Sequence, residues 1–267
     1  TQGVSSAASD VYKRQQQRFP QQRQRRMAGL IAERGSLTVA QLARHFDASE
    51  PTIRRDLALL EQAGLAARTH GGVVAPRKGE AIEPLFLEKL RVQQGAKKRI
   101  GRAAAAHVGK NRSILLDSGT TMLALAQELA GRAISIVALD LKVAEAAAVG
   151  ATQVHMPAGQ VRNGYFSIVG TPAVEAISGF TFDLFFMAAD AIDSDGISNS
   201  TRDEADVKLA AISRAGQTIL LADHTKLGRR ALVPVCPLDS ISRLITDTGA
   251  ARAVAPYRDR IADIEIC

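Results

Sequence analysis

Apolar residues between positions 27 and 60 recur at helical spacing, whereas beyond residue 112 they gather into short runs separated by longer mixed segments. Met27, Leu30 and Ile31 form a stripe that Gly35 ends. Thr38 opens a second short helix, with Gln41 three residues on to complete a capping box and with Leu42 and Phe46 as its buried side. After a tight Asp-Ala-Ser turn, Ile53, Leu57 and Leu60 follow one another at intervals of four and three, which puts them on one face of a third helix. That helix is expected to start at Ser49, whose hydroxyl can cap it. Glu50 suits the positive helix end, and Pro51 lies in the first turn, where a missing N–H costs nothing. The segment LAARTHGGVVA then sets turn glycines between two short extended runs. Helix, helix, turn, helix, hairpin is the order of a winged helix-turn-helix.

The second half has a different rhythm. A linker containing Pro84 is expected over 79–95, followed by an alanine-rich helix around Ile100, Ala103, Ala104, His107 and Val108. The runs SILLD, ISIVA, TQVHM, FDLFFMA, QTILLA and SRLIT then alternate with the helical patterns MLALAQELA, LKVAEAAAV and DEADVKLAAISRA. Such alternation predicts an α/β domain over 96–267 whose parallel sheet is covered on both faces. The winged helix-turn-helix is assigned to 21–78. Residues 1–20 lack a starting Met and an apolar core of the secretory type, and are set aside as a non-native or disordered leader.

Composition agrees with two domains. The chain has 267 residues and is 46% apolar, enough for two cores at about 100 to 200 residues each. It has no run of about 18 apolar residues, so no membrane partner is expected and a cytoplasmic location is. Cys236 and Cys267 stand far apart with no metal-ligand pattern, and are expected as free thiols; neither a metal nor a cofactor is anticipated. The net charge is +7, but residues 1–80 hold 13 Lys/Arg against 7 Asp/Glu, a net +6, leaving +1 for the rest. A basic module on a near-neutral body suits a polyanionic partner for the module alone.

Ser49, Thr52, Arg54 and Arg55 lie near the start of the third helix, offering hydroxyls and two guanidinium forks for phosphate and guanine contacts in a major groove. Taken alone, the two arginines fit the solvated face of an ordinary helix better; the helices before them shift the reading to DNA. Arg68 and His70 in the hairpin are candidates for backbone or minor-groove contacts, although the glycine-rich hairpin also has a purely structural reading. In the second half, Asp117, Asp140, Asp190 and Asp223 each follow an apolar run, and in a parallel sheet all strand ends share the edge where ligands bind. Asp117, Ser118, Gly119, Thr120 and Thr121 (DSGTT) form a strand-to-helix turn able to aim backbone N–H groups at a phosphate, or simply to cap a helix. Lys226 is a further phosphate contact on this reading, and Lys208 is expected to neutralise or orient Asp190.

From Arg23 onward the sequence resembles the DeoR family of bacterial transcription regulators, through TIRRDL at 52–57, Gly71-Gly72, LLDSGTT at 115–121, DLKVA at 140–144, FDLFFMAAD at 182–190 and LLADHTKLG at 220–228. It departs from the usual family pattern at Ala48, Ala138, Leu139, Ala158 and His224. The resemblance implies a repressor of carbohydrate catabolism genes, bound to double-stranded operator DNA as a homodimer or homotetramer and released by a phosphorylated sugar or related metabolite. It also implies a sensor half resembling the sugar-phosphate isomerase fold. The alternative is an isomerase-like enzyme, with Asp190, Asp193 or Glu204 as base and Lys208 as helper.

Overall fold

The computed structural model describes residues 20–62, 66–69, 72–74, 85–109 and 112–267. The chain divides between Glu83 and Pro84 into two compact units. Apart from Pro20, the expected leader lies outside the described residues, as does His70.

The first unit consists of α1 (Pro20–Arg34), β1 (Ser36–Thr38), α2 (Val39–Phe46), α3 (Glu50–Gln62), β2 (Ala67–Thr69) and β3 (Gly72–Val74). Met27, Ile31, Leu42, Phe46, Ile53, Leu57 and Leu60 all lie in one core, as their spacing predicts. The capping box of α2 is complete: the Gln41 N–H donates to Thr38 Oγ1 at 3.2 Å and the Thr38 N–H to Gln41 Oε1 at 2.8 Å. The hairpin strands are joined by β1, a strand not foreseen, in the order β1-β3-β2. That third strand explains one glycine of the turn. A Cβ on Gly72 would stand 2.7 Å from the Leu37 carbonyl oxygen, so the β1 pairing itself demands glycine.

In the second unit the segment expected as linker is helical where described. Residues 85–95 enter α4 (Phe86–Arg91) and the start of α5 (Gln94–Ala106), because Phe86 is buried edge-on against Phe166. There follow β4 (Ser113–Leu116), α6 (Thr120–Leu129), β5 (Ser135–Ala138), α7 (Leu141–Ala147), β6 (Gln153–His155), β7 (Gln160–Val161), β8 (Ile168–Val169) and α8 (Thr171–Ser178). The chain continues through β9 (Phe182–Ala188), β10 (Ala191–Ile192), β11 (Ile197–Asn199), α9 (Arg202–Arg214), β12 (Ala215–Leu221), β13 (Val233–Cys236), β14 (Arg243–Thr246) and β15 (Ile264–Ile266). All six apolar runs named from the sequence are strands of one parallel sheet, and β15 completes it in the order β15-β14-β12-β9-β4-β5-β6.

Alternate strand residues feed two cores. Ile114, Leu116, Leu184 and Phe186 pack with α5, α6 and α7 on one face; Leu115, Phe185 and Met187 pack with α8 and α9 on the other. Burial on both faces is the reason these strands read as continuous apolar runs. From β4 the chain proceeds outward to β5 and β6, then returns to place β9 on the opposite side of β4. The switch point therefore lies between β4 and β9.

Candidate functional site

In the first unit, α3 is presented by its neighbours. The Ile53 N–H bonds to the Ser49 carbonyl, and the Ser49 and Thr52 hydroxyls lie 2.8 Å apart, so Ser49 is the N-cap. Arg54 and Arg55 are both exposed; Arg54 reaches back to Glu50 at 3.0 Å. Arg68 is a β2 residue whose side chain lies outside the described residues. The sequence reading passed over Asp56. It is buried and accepts from Arg23 Nε at 2.6 Å and from Gln24 Nε2 at 2.8 Å, tying α1 to α3. Its position three residues after Ile53, on the inward face, was the available signal.

In the second unit, Asp117 ends β4 beneath the switch point. Its carboxylate accepts the Ser118 and Ala188 N–H groups, each at 2.8 Å, and pairs with the Lys208 ammonium, which also donates to the Ala188 carbonyl at 3.0 Å. Burial pushes the Asp117 carboxyl up and the Lys208 charge opposes that. Lys208 was expected to serve Asp190. It instead spans β4 and β9 from α9 to hold Asp117, and the pair is closed off from solvent.

The DSGTT turn enters α6 at Thr120, with Gly119 at φ 103° as its N-cap. Asp117 and Asp140 take the Ser118 and Gly119 N–H groups, the latter at 3.0 Å. The N–H groups that find no acceptor among the described residues are the next three, on Thr120, Thr121 and Met122. A Cβ at Gly119 would meet nothing within 4 Å, so that side of the turn is open. Asp140 also caps α7 through Lys142 and Val143, and burial raises its carboxyl above the ordinary value against those bonds.

Asp190 lies across the crevice, bonded to Lys89 Nζ at 3.1 Å and to the Ser200 N–H and hydroxyl at 2.9 and 2.7 Å. Burial works to raise its carboxyl, but Lys89, Ser200 and Lys226 hold it well below the usual range. Asp223 caps the turn His224–Lys226 through Thr225. Lys97, buried beside Asp223, donates to the Lys89 and Val92 carbonyls at 2.5 and 2.8 Å. Glu204 is locked by Arg162 at 2.5 Å, Ser167 at 2.7 Å and Asn199 at 2.9 Å. Burial is outweighed there by Arg162 and Lys208, which keep its carboxyl below the ordinary value. His224 Nδ1 rests 2.8 Å from Asp247, at the end of β14. Lys89 and Lys97 were missed because they fall in or beside the supposed linker; a lysine one turn along an amphipathic PLFLEKL segment was the signal.

A helix-turn-helix module followed by a parallel α/β unit whose strand-end carboxylates gather with several lysines is the class of a ligand-responsive DNA-binding regulator. The DeoR-like helix-turn-helix domain matches residues 23–78 and the DeoR C terminal sensor domain residues 92–248. The chain belongs to the DeoR family of transcriptional regulators. It is 34% identical over 234 residues to the uncharacterized HTH-type transcriptional regulator YgbI of Escherichia coli strain K12, covering 86% of this chain and 91% of that one. The HTH-type transcriptional regulator GlpR of Haloferax volcanii is 30% identical (86% and 90% covered), and the glycerol-3-phosphate regulon repressor of E. coli K12 is 28% identical (92% and 98%). Among solved structures, a D-ribose-5-phosphate isomerase in complex with phospho-erythronic acid overlaps 50% of this chain and 54% of its own at 17% identity and a TM-score of 0.38. No described helix is long and apolar enough to cross a membrane.

Proposed function

We propose that this DNA-binding regulator is a cytoplasmic repressor of carbohydrate catabolism genes, and that a phosphorylated sugar or related metabolite releases it by binding at the carboxyl edge of the sheet. The observation that carries the reading is the start of α6. Three N–H groups find no acceptor among the described residues, the Cβ side of the neighbouring Gly119 is open, and Lys226 is within electrostatic reach of Asp190. A helix start of this kind favours an anion. The name of the E. coli glycerol-3-phosphate regulon repressor is consistent with a phosphorylated polyol as the ligand class. In the DNA-binding unit, Ser49, Thr52, Arg54, Arg55, Arg68 and His70 are the proposed contacts. One such helix reads few bases, so a homodimer or homotetramer on half-sites about 34 Å apart is the assembly we infer.

The isomerase alternative lacks a poised acid–base pair. Lys208 is spent on Asp117, Glu204 is held by three donors, Asp193 pairs with Arg230, and the Asp190 carboxyl sits below the range a general base near neutrality needs. The test is calorimetric titration of the whole protein with a panel of sugar and polyol phosphates, comparing wild type with Gly119→Val. At φ 103° a β-branched residue is strained, and its side chain occupies the open space, so effector binding should vanish while operator binding survives and the reporter becomes non-inducible. Unchanged effector affinity in Gly119→Val refutes the α6 site.

A further inference from the structure

α4 is the first described element of the second unit and follows the segment that joins the two units in sequence. Four interactions hold this short helix down. Phe86 lies edge-on to Phe166 with ring centres 5.4 Å apart, the Phe86 N–H donates to the Gly164 carbonyl at 3.1 Å, Lys89 pairs with Asp190, and Lys97 ties down the last turn through the Lys89 and Val92 carbonyls. A helix of six residues has no stability of its own, so these anchors decide whether it stays in place.

One anchor belongs to the crevice. Lys89, Lys97 and Lys226 share an electrostatic neighbourhood with the carboxylates of Asp190, Asp223 and Glu204. Burial brings the Lys97 pKa down to about 8, with Asp223 opposing and Lys226 and Lys89 adding to it. The Lys89–Asp190 pair is also partly open, at 20% and 13% side-chain exposure, unlike the sealed Lys208–Asp117 pair. Asp190 keeps both Ser200 bonds if Lys89 leaves it.

We propose that Lys89, together with Lys226, binds the anionic group of the effector, and that in leaving Asp190 to do so Lys89 frees α4, so that occupancy of the crevice is passed to the segment leading to the DNA-binding unit. This rests on the reading that the effector is a phosphorylated metabolite. It adds a binding residue outside the DSGTT turn and a physical route for release. An effector shifts the DNA-binding equilibrium only through contacts that differ between the two states, and the exchange of partner at Lys89 is such a contact.

The experiment uses the full chain and the variants Lys89→Gln, Lys89→Arg and Gly119→Val, with glycerol 3-phosphate and inorganic phosphate as probes. Hydrogen exchange is followed over residues 85–92, and probe affinity is measured by calorimetry. In wild type either phosphate should speed exchange over 85–92. Lys89→Gln should show that faster exchange with no ligand present, and should bind phosphate about tenfold or more weakly, the loss of one charge-assisted hydrogen bond. Lys89→Arg should recover binding. If ligand-free exchange over 85–92 is the same in Lys89→Gln and wild type, the anchoring role is overturned whatever the effector is. Full phosphate affinity in Lys89→Gln, or no phosphate binding by wild type, overturns the anion-binding role. Loss of binding in Lys89→Gln with full binding in Gly119→Val upholds Lys89 and removes only the α6 site.

Discussion

Replacing Lys208 by Met tests the electrostatic joint at the switch point. Methionine fills nearly the same space, so the perturbation is the loss of one charge and two hydrogen bonds rather than a cavity. Wild type buries both partners almost completely, at 2% and 3% side-chain exposure. Stripping the counter-charge from a buried carboxylate costs about 3–5 kcal/mol. A second estimate bounds it from above: Asp117 can escape by taking a proton, and protonating an ordinary carboxyl of pKa about 3.9 costs roughly 4 kcal/mol at pH 7. The two agree. For a unit of this size each kcal/mol is worth about 2–4 °C, so the sensor transition should fall by about 6–16 °C in differential scanning calorimetry of the whole protein. The DNA-binding transition should not move. The loss should also depend on pH. Burial already raises the Asp117 carboxyl in wild type and loss of Lys208 raises it further, so the folded variant keeps this proton to higher pH and loses stability relative to wild type as pH rises above the ordinary carboxylate range. The double variant Asp117→Leu with Lys208→Met should recover only part of the loss, since the Ser118 and Ala188 N–H groups are then left without their acceptor. A shift below about 2 °C in Lys208→Met, or one independent of pH, would show that the pair does not hold the switch point.

Gly101 lies where α5 crosses α6, and a Cβ there would stand 2.8 Å from the Ala124 carbonyl carbon; Gly101→Ala should cost about 1–3 kcal/mol in the same calorimetric transition, and a neutral or stabilising result refutes the close crossing. Leu42→Ala should cost about 2–5 kcal/mol in the small DNA-binding unit and abolish operator binding in gel-shift titrations at 37 °C while phosphate binding by the sensor persists. The lowered Lys97 pKa makes the folded protein bind fewer protons than the unfolded chain between about 8 and the ordinary lysine value of 10.5, so stability relative to Lys97→Met should rise with pH across that window; a difference that stays flat contradicts the burial of this ammonium. Thr38→Ala should remove about 1 kcal/mol from the first unit by opening its capping box, read as a fall in the transition of the DNA-binding unit; no change there shows the box to be energetically idle.

What the amino-acid sequence determined by itself is whatever depends on a few neighbouring residues. The capping box of α2 lies within four positions, the inward stripe of α3 within eight, and six of the seven parallel strands show as mainly apolar runs because the central ones are covered on both faces. The carboxylates at strand ends were legible for the same reason, since every strand of a parallel sheet finishes at one edge. Tertiary structure alone decided which charges meet. Lys208 and Asp117 are 91 residues apart, Lys89 and Asp190 101, and Arg23 and Asp56 33. The shared edge of the strand ends favoured Asp190 as the partner of Lys208, but placing β9 beside β4 brings α9 over Asp117, while α4, read as linker, supplies the lysine that Asp190 uses. Gly72 repeats the point: its need for glycine arises from a strand 34 residues earlier that passes within 2.7 Å of where its Cβ would be. Hydrophobic periodicity is a local property of the chain, whereas an ion pair or a close backbone approach depends on strand order and helix crossing, which only the assembled sheet defines.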